Sequence, residues 1–110
     1  MAAICLAALI ASAIVTPVCF LGNASGHDFQ PHVASWIEAN HQWRQGIFFP
    51  RWAEGANSGF GEPRFIFYPP ASWTLGAALG SVLPWRMVPG AFIWLTIFMA
   101  GISMWKLARE

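Results

Sequence analysis

Apolar residues dominate the chain in three stretches, and only the segment between the first two mixes polar and apolar positions at a regular spacing. From Ala2 to Leu21 no residue is charged, and a helix of that length reaches about 30 Å, the hydrocarbon thickness of a bilayer. A transmembrane helix is therefore expected over residues 1–22. A second uncharged run from Met87 to Trp105, closed by Lys106 and Arg109, predicts another over 87–106, with 107–110 as a short tail. The apolar run before it, residues 71–86, is shorter. Its first fifteen residues make only about 22 Å of helix, so this piece either spans with help from neighbours or lies re-entrant at the interface. Gly76 and Gly80 within it permit close helix packing. Leu83 to Gly90, with Pro84 and Pro89 as breakers and Trp85 and Arg86 as interfacial residues, reads as a turn.

Residues 23–70 form the polar and aromatic loop between these apolar pieces. From Phe29 to Gln45 the spacing predicts an amphipathic helix: Phe29, Val33, Trp36 and Ile37 fall on one side, with Gln30, Glu38, His41 and Gln45 mostly elsewhere. Asp28 suits its N-cap, Pro31 its first turn and Gly46 its C-terminal stop. So close to a membrane, such a helix is expected to lie along the surface with Trp36 and Trp43 in the headgroup layer, and Glu38 and His41 on a solvated face. Ile47 to Trp52 reads as extended, Gly55, Gly59 and Gly61 mark a turn-rich stretch, and Pro69-Pro70 redirects the chain into the third piece.

Composition sharpens this picture into an all-α membrane protein with two or three transmembrane helices. Only 10% of residues are charged against 56% hydrophobic, whereas a soluble domain carries roughly 25% charged residues. Seven of the eleven charged residues and all three histidines fall within 23–70, so any chemistry belongs there. A net charge of +1 with scattered Lys and Arg gives no basic patch for nucleic acid. Cys5 and Cys19, about 21 Å apart along one helix, are too distant to bridge. Ala11-Ser12-Ala13 resembles a signal-peptidase site, but the N-terminus lacks Lys and Arg and the apolar run continues to Leu21, which favours an uncleaved anchor. Asn23-Ala24-Ser25 fits a glycosylation sequon, a weak three-residue pattern.

Charge leaves the orientation open. With the N-terminus inside and three spans, Arg86 alone lies inside, while Arg44, Arg51, Arg64, Lys106 and Arg109 lie outside, against the positive-inside tendency. If 71–85 does not span, Lys106 and Arg109 return to the N-terminal side. The tail ends at Lys106-Leu107-Ala108-Arg109-Glu110, and the protein is expected to continue beyond it.

Among candidate site residues, Asp28 stands about one turn outside the first apolar helix, beside His27 and one helical turn before His32. A carboxylate there could act as a general base, or bind a divalent metal ion with His32; it could equally be a helix cap with two interfacial histidines. Arg51 can fork onto a phosphate while Trp52 offers an apolar face to a sugar or lipid, and the same pair could be an interfacial anchor. Glu62 and Arg64 bracket Pro63, where they pair with each other or face a ligand. Tyr68, the one tyrosine in the chain, could hydrogen-bond a polar substrate or sit in an aromatic belt. No Gly-x-Ser-x-Gly, Cys-x-x-Cys, His-Glu-x-x-His or phosphate-binding glycine loop is present.

Taken in order, Gly26-His27-Asp28, His32, Trp36, Glu38, Gly46, Pro50-Arg51-Trp52, Gly59, Gly61, Pro63 and Phe67-Tyr68-Pro69-Pro70 resemble the first external loop of a family of large bacterial multi-spanning membrane proteins. Some of these are described as related to 6-pyruvoyl-tetrahydropterin synthase, and they resemble the GT-C class of membrane glycosyltransferases. The resemblance implies that the chain is the N-terminal part of a larger GT-C-like bundle in the bacterial inner membrane, with residues 23–70 periplasmic. It further implies a lipid-linked, polyprenyl-phosphate sugar donor, with Asp28 as catalytic base or metal-site carboxylate. Arg51 and Arg64 would then attract donor phosphate, His27 would contact substrate, and Trp52 and Tyr68 would line the acceptor or lipid side. The remaining helices of the full-length protein would complete the donor pocket, and the segment by itself is not expected to turn over. The alternative is a non-enzymatic membrane protein, a transporter component or scaffold, whose loop docks a partner at the interface.

Overall fold

The computed structural model describes residues 1–23, 26 and 28–110. Among them every regular element is helical: α1 (Ala2–Leu21), α2 (Phe29–Arg44), a single turn α3 (Arg64–Phe67), α4 (Pro70–Val82) and α5 (Val88–Leu107), with a 3-10 turn at Asn57–Gly59. The contacts divide the chain into two units, one of residues 1–24 with 89–110 and the other of residues 25–88.

The first unit is α1 packed on α5. Both helices are 20 residues long and apolar enough to cross a membrane. Little of either helix is covered by the rest of the chain: Leu6, Leu9, Ile14 and Phe20 of α1 and Met99, Met104 and Leu107 of α5 are exposed. Ala7, Ala11 and Val15, spaced four apart, form the buried stripe of α1. The facing positions of α5 are small or reach across. A Cβ at Gly101 would sit 3.2 Å from Ala7 Cβ, one at Gly90 would sit 3.6 Å from Val15 Cγ1, and the Trp94 indole N–H donates to Ser12 Oγ at 3.0 Å. The pairing runs 7 with 101, 12 with 94 and 15 with 90, so the helices are antiparallel. The chain therefore leaves α1 and re-enters α5 at the same end of the pair. At the other end, the Arg109 guanidinium lies 4.9 Å from the Trp105 ring.

The second unit is built on α2 against α4. Trp36 is buried and lies where a side chain on Gly76 would be, which lets the two helices approach closely. One turn on, Asn40 donates to Ala77 O at 3.0 Å and to Ser81 Oγ at 2.7 Å. Residue 36 thus meets 76 and residue 40 meets 77 and 81, so α2 and α4 run in the same direction. A parallel pair cannot be closed by a short turn. Residues 45–69 must carry the chain back along the length of α2, about 24 Å.

Side chains of α2 hold that return segment in place. Gln42 Nε2 donates to Trp52 O at 2.7 Å, the Glu38 carboxylate accepts from Glu54 N at 2.9 Å, and Arg64 Nη1 reaches Ser35 Oγ at 3.2 Å. Successive return residues thus contact successively earlier positions on the helix. Ala53 and Glu62 exchange backbone hydrogen bonds of 2.8 and 3.1 Å, which closes residues 54–61 into a side loop. Gly61, at φ +75°, lies under the Trp52 indole, in the space a Cβ would need.

The helix boundaries match the expected ones closely, but α2 turns a different face inward. Its buried residues are Ser35, Trp36, Ala39, Asn40 and Gln42, while Ile37 is exposed. Trp36 is therefore core rather than headgroup-facing, and Trp43 is half-buried with its indole N–H on Phe48 O at 3.0 Å. Glu38 is half-exposed and does more than face solvent: its carboxylate accepts from Gln42 Nε2 and Glu54 N. Apolar periodicity cannot reveal a buried face made of polar residues whose partners lie in distant segments. Similarly, Pro89 and Gly90 fall inside α5 rather than in the turn before it, because proline is tolerated in a first helical turn.

Candidate functional site

The return path of residues 45–69 brings the chain back to the start of α2, and a cavity of about 510 Å³ opens there. The first two turns of α2 form one wall, with Asp28, Pro31, His32, Ser35 and Trp36. These positions repeat at three or four residues and so share a helix face. Opposite them stand Glu62, Arg64 and Tyr68 from the return segment, and Pro69, Ser72 and Trp73 from the start of α4.

Asp28 occupies the N-cap position of α2, yet its carboxylate makes no capping hydrogen bond. One turn later the His32 ring meets the Tyr68 ring edge-on, with centroids 6.5 Å apart and planes at 88°. Arg64 Nε pairs with the Glu62 carboxylate, and Nη1 reaches Ser35 Oγ at 3.2 Å and Pro31 O at 3.4 Å. Its guanidinium is thus engaged in joining the return segment to α2. This charge-assisted set is partly buried, and it fixes the separation of the two cavity walls.

Trp73 forms the cavity's apolar end. It is 2% exposed and receives Phe49 and Phe65 edge-on at 5.6 and 5.2 Å. Among the described residues its buried indole N–H has no hydrogen-bond partner, an unusual condition for a native polar group. Aromatic faces, two carboxylates, one ion-paired guanidinium, a phenol and two serines together suit a polyhydroxylated ligand, whose ring faces are apolar and whose hydroxyls need donors and acceptors.

The residues singled out from sequence are divided by this geometry. Asp28, His32, Arg64 and Tyr68 line the cavity; Arg51 and Trp52 do not. Arg51 is exposed. Trp52 supports the return segment through its carbonyl, bonded to Gln42, and its indole, which covers Gly61. His27, and the sequon residues Ala24 and Ser25, lie outside the described residues. Among the described residues no three His, Cys, Asp or Glu side chains converge to hold a metal. Asp28 and His32 supply two donors at most, short of the three or four that hold zinc. Both cysteines are unbridged, as their spacing requires. Ser35 is the lining residue most readable in advance, since it lies seven positions after Asp28 and three after His32. Ser72 and Trp73 carry no such signal, because only the parallel packing of α4 brings them there.

No family model matches the chain, and no curated protein or solved structure matches it.

Proposed function

We propose that this chain is the N-terminal segment of an integral membrane glycosyltransferase of GT-C type, which uses a polyprenyl-phosphate-linked sugar. In this reading α1 and α5 cross the inner membrane as an antiparallel pair, and residues 23–87 lie together on the periplasmic side. The α2–α4 packing supports this topology: α4 is 13 residues long, about 20 Å as a helix and short of a bilayer span. Lys106 and Arg109 then share the cytoplasmic side with the N-terminus, as the positive-inside tendency favours.

The observation that carries the proposal is the gathering of Asp28, His32, Arg64 and Tyr68 around one concave site at the mouth of α2. Asp28 is the base. It takes the proton of an acceptor hydroxyl as that oxygen bonds to the anomeric carbon; the bond from the anomeric carbon to the phosphate oxygen breaks, and the polyprenyl phosphate leaves with the electron pair. Tyr68, 57% exposed, offers a surface for a sugar ring, and Arg64 with Glu62 keeps the walls apart. Helices beyond residue 110 complete the donor pocket.

The test is sugar transfer from a polyprenyl-phosphate sugar by the full-length protein carrying Asp28→Asn or Asp28→Ala, with membrane insertion measured in parallel. Loss of transfer in both variants with normal insertion is expected. Transfer near the unmodified level in Asp28→Asn removes Asp28 from the chemistry. Loss of insertion together with transfer makes the residue structural.

A further inference from the structure

Phe48 and Phe49 are 74% and 69% exposed at a turn bounded by exposed Arg44 and Arg51, with no carboxylate between residues 39 and 53. The turn is held by its own bonds. Gly46, at φ +87°, ends α2, with Gly46 N on Trp43 O and Ile47 N on Gln42 O, each at 3.0 Å. The Trp43 indole satisfies the Phe48 carbonyl, Pro50 is fully buried behind the tip, and Phe49 meets the Trp73 edge.

We infer that this turn is a lipid anchor, its two phenylalanines seated at the boundary of headgroups and acyl chains and its two arginines on anionic lipid phosphates. The inference rests on the reading of α1 and α5 as membrane spans. Three observations favour lipid as the occupant. The segment carrying the turn is continuous in the chain with both apolar helices, which the spanning reading surrounds with lipid. The two charges within residues 39–53, Arg44 and Arg51, are both cationic, complementary to anionic headgroups. At the tip the Phe48 carbonyl is already bonded and Pro50 brings no N–H, which removes part of the desolvation cost of entering the interface. The anchor would fix the unit carrying the cavity at the depth where a lipid-linked phosphate lies.

Power-saturation electron paramagnetic resonance on the whole chain tests this, with Cys5→Ser and Cys19→Ser as background and a nitroxide introduced through Phe48→Cys. Phe48→Cys is compared with Asn57→Cys in the side loop and Ile97→Cys in α5, in phosphatidylcholine vesicles with and without phosphatidylglycerol. The label at 48 is expected to be open to oxygen and shielded from a water-soluble nickel chelate. Arg44→Glu with Arg51→Glu is expected to return it to the aqueous pattern of the label at 57. A label at 48 that matches 57 while 97 reads as hydrocarbon overturns the anchor and leaves the spans intact. A label at 97 open to nickel overturns the spans themselves. Shielding at 48 from both reagents means that protein covers the tip, and also overturns the lipid assignment.

Discussion

Asn40 is the residue on which the parallel packing of α2 and α4 most depends, and its replacement gives a sharp energetic prediction. Its amide is 4% exposed and donates twice across the interface, to Ala77 O at 3.0 Å and Ser81 Oγ at 2.7 Å. Each such bond contributes about 0.5–1.5 kcal/mol net, so Asn40→Ala should cost about 1–3 kcal/mol. The loss should not be larger, because Ala77 O keeps the Ser81 hydroxyl at 3.0 Å and is not orphaned. Asn40→Asp should cost more than Asn40→Ala despite its closer shape, because it turns a double donor into a buried carboxylate facing a carbonyl. Hydrogen exchange by mass spectrometry on the whole chain in micelles reads this segment by segment. At a factor of ten per 1.4 kcal/mol, amides of α2 and α4 should exchange roughly 5- to 150-fold faster in Asn40→Ala, with α5 unchanged. Unchanged exchange in α4, or Asn40→Asp protected as well as the unmodified chain, would refute the interhelical role.

Two further substitutions probe the close approaches in each unit. Gly76→Ala places a methyl group where the Trp36 indole lies; the overpacking should destabilise the second unit by about 1–3 kcal/mol, read as faster exchange of α2 and α4. Ser12→Ala removes the acceptor of the Trp94 indole N–H, and thermal unfolding in micelles should register a loss of about 0.6–2 kcal/mol in the α1–α5 pair.

The two long apolar helices and the ends of α2 were legible from sequence because each is set by local chemistry: absence of charge over a bilayer-length run, Asp28 at the N-cap position, Gly46 able to take a positive φ. The packing of the polar unit was not legible in the same way. Glu38 reads as a solvated residue and Asn40 and Gln42 carry no signal in the sequence; the return of residues 45–69 supplies partners for Gln42 and Glu38, and α4 supplies those of Asn40. The same return explains the site. Asp28 and His32 were recognisable as neighbours one turn apart, whereas Tyr68 and Arg64 reach them across more than thirty residues of chain. The pairing of Arg64 with Glu62 was one of the two readings of that stretch, the other being a phosphate contact; its bonds to Ser35 and Pro31 join residues about thirty positions apart, which no spacing rule anticipates.

The central proposal is that α1 and α5 cross the bilayer and that Asp28 lies on its periplasmic side. Labelling of single cysteines with a membrane-impermeant maleimide in intact spheroplasts, in the Cys5→Ser, Cys19→Ser background, tests it most directly. Asp28→Cys should be labelled from outside, and Glu110→Cys only after the membrane is permeabilised. Labelling of both positions from the same side, or protection of position 28 under both conditions, would contradict the account.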